Sequence, residues 1–233
     1  MSVTLPLKWL MNACVSNVPN HYSDATLIVE DSGASVLTFP YSAENICVKS
    51  IEFTTNLRDF KPVCIFLKNS TRDFISKCSK IFEMITLEIL NHTLVFSLQS
   101  DIQALKYQLP VINSTNRIVV QSSEDIELIL IGDGLLRSWV LFDKKVTISA
   151  SPGQKSIKIE AEQPKLCTLL ACNNAPKSAC SFTCLASSME ILQLLSSDKV
   201  ISIVFMKSGL LLVSNNLEKI YIAPQVGQGP RIK

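Results

Sequence analysis

The polar side chains of this sequence offer little that could carry out catalysis. His21 and His92 are the only histidines, and neither has a nucleophile beside it in the sequence. Asp24, Asp31 and Asp133 fall at predicted turns or helix caps, where carboxylates commonly bind the backbone. The seven glycines form no glycine-rich loop of the kind that cradles phosphate. We therefore expect a protein that is not an enzyme.

The eight cysteines and three Asn-x-Ser/Thr sequons leave two interpretations open. Sequons at Asn69, Asn91 and Asn113 and an even cysteine count would suit a secreted β-rich binding module. No basic segment precedes the apolar residues near Leu5, however, which argues against a signal peptide. We favour an intracellular protein with reduced thiols. Four of these thiols fall at apolar-periodic positions: Cys14, Cys47, Cys64 and Cys78.

Composition indicates a globular protein with substantial cores. Apolar residues make up 47% of the 233 positions, and no apolar run approaches the roughly 20 residues of a membrane-spanning helix. The formal net charge of +2 excludes a strongly cationic nucleic-acid wrapper but allows a local basic face. The pairs Cys167/Cys172 and Cys180/Cys184 have the wrong spacing for a zinc ribbon, so we expect no metal and no cofactor.

A repeated pattern organises the chain. An amphipathic stretch followed by a train of short alternating strands recurs, and the stretches begin near Pro6, Thr71, Gly134 and Ser187. We predict strands at 25–30, 35–39, 46–54, 63–67, 85–90, 94–98, 104–109, 126–131, 146–150, 157–161, 166–171, 180–185, 200–206, 210–214 and 217–223. The last three units therefore have the order strand, helix and three strands, and the first has a helix and three strands, with only Ser2–Leu5 available for an opening strand.

The first two amphipathic stretches predict helices with one buried face. The first runs from Leu7 to Val18, and Pro19 ends it. The second follows the capping residues Asn69-Ser70-Thr71. Its predicted buried residues share helical spacing: Phe74, Ile75, Cys78, Ile81 and Phe82.

The third and fourth stretches are shorter but follow the same logic. The third carries Leu135, Leu136, Trp139 and Val140. The fourth begins with the capping-box spacing of Ser187 and Glu190. We assign Phe74, Trp139 and Leu195 to the core.

Two such units make one domain, so the fold class is α+β with two similar domains. We place the first domain at 1–110, a connector rich in Asn, Ser and Thr at 111–125, the second domain at 126–224 and a polar tail at 225–233. Helices should cover one face of each antiparallel sheet.

Two predicted strands are too apolar to remain unpaired at a sheet edge. They are the last strands of the second and third units, and their apolar residues are Leu105, Tyr107, Leu109, Leu166, Cys167, Leu169 and Leu170. We expect these edges to pair between chains.

The order of units resembles the sliding DNA clamps over essentially the whole chain. The ending Lys219-Ile220-Tyr221-Ile222-Ala223-Pro224 is similar to the final strand and Ala-Pro of the replication clamp, proliferating cell nuclear antigen. The segment Gln108-Leu109-Pro110-Val111-Ile112 resembles the HUS-one subunit of the checkpoint clamp, the nine-one-one complex. So does Ser156-Ile157-Lys158-Ile159-Glu160-Ala161-Glu162, with Asn173-Asn174-Ala175-Pro176 downstream. The connector is less acidic than in the replication clamp.

The resemblance implies the DNA clamp fold, with helices on the inner face of a ring and antiparallel sheets outside. It implies that basic helix residues meet DNA phosphates without reading bases. The candidates are Lys8, Arg72, Lys77, Lys80 and Arg137. Arg72, Lys77 and Lys80 should project together, opposite the apolar face of their helix. The alternative is an ordinary solvated helix face, and the fourth helix has no basic residue before Lys199.

The resemblance also implies a groove for short apolar partner peptides. Its candidate residues lie in the connector and near the end of the chain: Val111, Ile112, Ile118, Val119, Ala223 and Pro224. The alternative is that these residues only pack the connector onto the sheet.

The implied function is a non-enzymatic subunit of a heterotrimeric clamp in the nucleus, acting in the DNA damage checkpoint and repair. Its partners would be two other clamp subunits, double-stranded DNA without sequence preference, a clamp loader, and repair and checkpoint proteins, with no membrane. A homotrimeric replication processivity clamp is the alternative of the same class.

Overall fold

The computed structural model describes residues 2–14, 22–30, 33–40, 46–52, 63–90, 93–110, 125–138, 141–163, 165–195, 200–216 and 218–225. The chain divides into two compact units, Met1–Tyr41 with Val48–Arg117 and Ser42–Cys47 with Ile118–Lys233. None of the described helices is long and apolar enough to cross a membrane.

The first unit contains two rounds of strand, helix and three strands. Its elements are β1 (Ser2–Pro6), α1 (Leu7–Cys14), β2 (Tyr22–Val29), β3 (Gly33–Pro40), β4 (Ile46–Glu52), β5 (Val63–Leu67), α2 (Asn69–Cys78), β6 (Met84–Leu90), β7 (Thr93–Gln99) and β8 (Ala104–Pro110). The strands are ordered β1-β6-β7-β8 in one sheet and β5-β2-β3-β4 in the other. The strand that opens each round therefore joins the sheet of the other round.

The second unit repeats this order. Its elements are β9 (Ile126–Ile131), α3 (Gly134–Ser138), β10 (Asp143–Ala150), β11 (Ser156–Gln163), β12 (Leu166–Ala171), β13 (Cys180–Leu185), α4 (Ala186–Met189), a 3-10 helix (Glu190–Leu194), β14 (Val200–Phe205), β15 (Leu211–Ser214) and β16 (Glu218–Ile222). The strand orders are β12-β11-β10-β13 and β16-β15-β14-β9. The predicted α+β class, with four strand-helix-three-strand rounds, is confirmed.

Side-chain alternation explains how these elements bury a core. Val3 and Leu5 of β1 point inward while Ser2 and Thr4 are exposed, as a period of two requires. In α1 the buried positions Leu7, Leu10 and Cys14 follow the helical repeat. The two helices and the inner faces of both sheets form one cluster in the first unit. Phe74, predicted to belong to the core, is only partly buried and packs against that cluster, and Leu195 is buried in the second unit, as predicted.

The predicted helix caps are wrong in two places. Lys68 is the N-cap of α2, and no side-chain cap bond is present, because the helix starts immediately after β5. The Lys68 carbonyl accepts the N–H groups of Thr71 and Arg72 at 3.0 and 3.1 Å. Leu185 likewise caps α4 without a side-chain bond, so Ser187 lies inside the helix.

Helix α2 is shorter in the structure than its sequence pattern predicts. Since α2 ends at Cys78, Ile81 lies beyond the helix and is 60% exposed, which contradicts its predicted burial. Phe82 supplies the buried apolar contact after the turn. The predicted end of the first helix at Val18 and Pro19 lies outside the described residues, as does Trp139.

Candidate nucleic-acid and subunit interfaces

The helices of the first unit pack side by side in opposite directions. Arg72 Nε, near the start of α2, donates to the carbonyl of Cys14 at the end of α1 over 2.7 Å. Ser79 Oγ, just after α2, donates to Met11 Sδ over 3.0 Å. The Leu7 N–H, at the start of α1, donates to the Glu83 carbonyl over 2.8 Å. The start of α1 therefore lies beside the end of α2.

This antiparallel arrangement brings three of the predicted DNA-facing lysines to one end of the helix pair. Lys8 is the second residue of α1, Lys77 lies in the last turn of α2, and Lys80 follows in the turn after it. All three side chains are exposed. Cations at a helix C-terminus are also favoured by the helix dipole.

Arg72, a fourth predicted DNA-facing residue, is engaged within the protein. Besides its bond to Cys14, its guanidinium donates to Asn69 Oδ1 over 3.3 Å. The Arg72 side chain is half-buried, and its bond to Cys14 joins α2 to α1. Any contact that it makes with a ligand would be additional. It does not project in parallel with Lys77 and Lys80.

Arg137, the fifth predicted residue, belongs to α3 of the second unit. Its Nε and a terminal guanidinium nitrogen both lie 2.8 Å from Asp133 Oδ2, one helical turn earlier. The Arg137 side chain is 78% exposed and that of Asp133 22% exposed. The pair is locally neutral.

Among the described strands, β8 is at the edge of its sheet, and its apolar residues share the face that covers α2. Tyr107 stacks on Phe74 of α2 with ring centroids 4.1 Å apart and planes at 17°. Leu105 and Leu109 pair with Leu98 and Leu94 of β7, so they lie on the same face. Leu105 is among the exposed large hydrophobic residues.

Strand β12 is the corresponding edge in the second unit. Leu166, Thr168 and Leu170 lie on its inner face. Leu170 approaches so close to α3 that a Cβ added to Gly134 would stand 3.0 Å from the Leu170 methyl. Leu169 is 66% exposed and, with Cys167, lies on the opposite face. Strands β8 and β12 are thus edges with exposed apolar side chains.

Other edges of the second unit are covered by the chain itself. The Asn174 side-chain amide makes the hydrogen bonds that a neighbouring strand would make to β9. Its Oδ1 accepts the Ile129 N–H over 2.8 Å, and its Nδ2 donates to the Glu127 carbonyl over 2.9 Å. The Asn173 N–H donates to the Ile129 carbonyl over 2.8 Å. Sequence reasoning missed this role, although it singled out the Asn-Asn pair.

Near the end of the chain, the Gln225 N–H donates to the Thr183 carbonyl of β13 over 3.0 Å. The preceding Ala223 is buried and Pro224 half-buried. These are the described members of the predicted peptide groove. Val111, Ile112, Ile118 and Val119 lie outside the described residues.

Sequence reasoning also missed a row of side chains that crosses β14, β15 and β16 and ends at Tyr221, two residues before Ala223. Val204, Leu212 and Tyr221 are consecutive cross-strand partners on β14, β15 and β16. They lie opposite the face of Ile203 and Val213, yet all are buried, and burial raises the pKa of the Tyr221 hydroxyl. Continuous apolar runs in these strands were the available signal, because strands buried on both faces lose their alternation.

Six cysteines whose side chains the structure describes are free thiols: Cys14, Cys78, Cys167, Cys172, Cys180 and Cys184. Burial raises the pKa of the Cys14 thiol to about 12 although Arg72 lowers it, and burial raises that of Cys184 to about 12. Thiols held in this protonated state are poor nucleophiles. No group of His, Cys, Asp and Glu among the described positions could hold a metal ion.

The architecture is that of the DNA clamps. A candidate DNA polymerase III beta subunit from Eubacterium rectale superposes with a TM-score of 0.70 at 12% identity, over 97% of this chain and 66% of that one. PCNA from Thermococcus kodakaraensis superposes with a TM-score of 0.67 at 15% identity, over 96% of this chain and 99% of that one. No protein-family model and no curated protein matches the sequence. At these identities the likeness concerns the fold.

Proposed function

We propose that this chain is a non-enzymatic subunit of a ring-shaped, heterotrimeric DNA sliding clamp that acts in DNA damage checkpoint signalling and repair in the nucleus. The observation that carries the proposal is the DNA clamp fold with two apolar edge strands, β8 in one unit and β12 in the other. Edges of this kind call for partner strands, since unpaired apolar edges promote uncontrolled association.

The clamp would act by topology. Three chains of two units each would close into a ring, and encirclement would hold the ring on duplex DNA while the exposed lysines Lys8, Lys77 and Lys80 make weak phosphate contacts. The outer surface would bind repair and checkpoint proteins, and a clamp loader would open the ring. Resemblance of the segments around Pro110 and Ile157 to the HUS-one subunit favours the checkpoint assembly.

A homotrimeric replication clamp is the second candidate, and one observation favours it. If β8 and β12 of two copies pair antiparallel, their inner faces can match Leu105 with Leu170 and Leu109 with Leu166. Apolar cross-strand pairs of this type stabilise sheets.

The test combines affinity purification from the source cells with sizing of the purified chain. The proposal expects recovery of two different clamp-like chains, and a monomer when the chain is purified alone. Leu105→Asp should remove one partner and Leu166→Asp the other, because the two residues lie on different edges. Ile102→Asp is the control, since Ile102 is 93% exposed in the turn before β8.

Thermal melting of each variant separates loss of a partner from loss of folding. A homotrimer of the purified chain would replace the checkpoint assignment with the replication clamp. Glycosylated protein with oxidised cysteines, or retention of both partners by both edge variants, would overturn the ring proposal.

A further inference from the structure

We propose that duplex DNA binds this chain through the helices of the first unit alone, and that the helices of the second unit add no net attraction. The inference rests on the proposed clamp function and concerns which part of the helical surface carries it. Its basis is a difference in charge between the two helix pairs.

The first pair is strongly cationic. Over 7–14 and 69–80, four cations stand against one carboxylate, Asp73. Lys8, Lys77 and Lys80 are exposed, and the antiparallel contact between α1 and α2 gathers them at one end of the pair. Glu83 is the carboxylate next to that end, so the cluster keeps a positive excess.

The helical residues of the second unit have the opposite balance. Over 133–138 and 186–194, one cation, Arg137, stands against two carboxylates, Asp133 and Glu190. Arg137 is bound to Asp133 through two contacts of 2.8 Å to one carboxylate oxygen. A phosphate approaching Arg137 would therefore have to compete with Asp133 and would feel its repulsion.

Lys158, an exposed lysine of the sheet, does not restore the balance on the helix side. Lys158 of β11 pairs with Leu169, on the face opposite the Ile157–Leu170 pair that covers α3. It forms an ion pair of 2.7 Å with Glu160 on that face. Lys158 thus provides an exposed cation of the same unit that points away from the helices.

The binding law for polyanions makes this inference measurable. Affinity for DNA falls as salt rises, and each phosphate contact that is removed makes the slope of log affinity against log salt less steep by about 0.9, without changing sequence preference. Removing Lys77 and Lys80 should therefore reduce the slope by about 2. Removing Arg137 should leave the slope unchanged.

The experiment measures fluorescence anisotropy of a labelled double-stranded DNA fragment with the purified full chain across a salt series. We expect Lys77→Glu/Lys80→Glu to weaken binding at low salt by roughly tenfold or more. Arg137→Glu and the control Lys158→Glu should each change the affinity by less than about twofold. Lys77→Gln/Lys80→Gln should show a smaller loss of affinity with the same loss of slope, and circular dichroism verifies folding.

A loss with Arg137→Glu as large as that of the double variant would overturn the inference and leave the clamp function standing. An equal loss with Lys158→Glu would also overturn it, because binding would then follow total charge. If the unmodified chain fails to bind the duplex at low salt, both the inference and the DNA-binding part of the proposed function are wrong. Recovery of ring partners tests the assembly separately.

Discussion

Removal of the Asn174 side chain should open the edge of β9. Asn174 supplies an acceptor to the Ile129 N–H and a donor to the Glu127 carbonyl, at 2.8 and 2.9 Å. In Asn174→Ala both backbone groups lose these partners. The Asn173 N–H, which reaches the Ile129 carbonyl, remains in place.

The expected cost follows from the number and burial of these bonds. Each should contribute about 1 kcal/mol, the usual net value for a hydrogen bond in a protein. Because Ile129 is half-buried and Glu127 exposed, water can reach both backbone groups in the variant, so the loss stays at this net value, about 2 kcal/mol for the two bonds. Asn174→Asp should cost less at Ile129, since an acceptor oxygen remains, but it still loses the donor to Glu127.

Hydrogen exchange of the Ile129 amide is the most direct assay. A local loss of about 2 kcal/mol corresponds to exchange faster by roughly thirtyfold. Asn173→Ala is the matched control, because its exposed side chain is removed while its backbone N–H is kept. Equal exchange at Ile129 in the two alanine variants would refute the assigned role of the Asn174 amide.

Two further predictions concern a turn and a buried thiol. Gly153 has φ +74°, so Gly153→Ala should lower stability by about 1 kcal/mol and Gly153→Asn by less, as thermal melting can measure. An unchanged melting temperature in Gly153→Ala would contradict this. Burial raises the pKa of Cys14 from 9.0 to about 12. Between these two pH values the folded protein therefore keeps a thiol proton that the unfolded chain loses. Its stabilising contribution is complete below pH 9.0 and disappears as the pH rises toward about 12. In urea titrations above pH 9.0, the free energy of unfolding should fall with pH less steeply in Cys14→Ala than in the unmodified protein, by about 1.4 kcal/mol per pH unit. Equal slopes in the two proteins would argue against the raised pKa of Cys14.

The order of elements could be predicted from the sequence because apolar periodicity alone sets it. Strands Val63–Leu67 and Leu166–Ala171 have the predicted ends, since each is a short apolar run with a proline shortly before it and an asparagine shortly after it. The edge positions of β8 and β12 follow from the order of the units, and the pairing of these edges between chains stays a prediction.

Details that depend on contacts distant in sequence could not be foreseen. The helical spacing of Ile81 indicated burial, but the helix ends at Cys78 and the chain turns so that Phe82 enters the core instead. The sequence predicts a surface cation at Arg72, and only the packing of α1 against α2 brings the Cys14 carbonyl to its guanidinium. Neither contact leaves a local signature, because both depend on how separate elements meet.

The grouping of the predicted DNA-facing lysines and the row of buried side chains on β14, β15 and β16 both depend on how separate elements are placed. Lys8, Lys77 and Lys80 lie together because their helices run antiparallel, which spacing within one helix cannot reveal. The row of Val204, Leu212 and Tyr221 depends on the register of three strands, so its members are far apart in sequence.

The stacked rings of Tyr107 and Phe74 tie the border of a sheet to the helix under it. Tyr107 belongs to β8, and Phe74 lies one turn before Lys77 on α2. Any outward displacement of β8 must therefore part the two rings or pull α2 along. A partner strand that displaces β8 when it pairs would therefore also move α2, the helix that bears Lys77, unless the two rings separate.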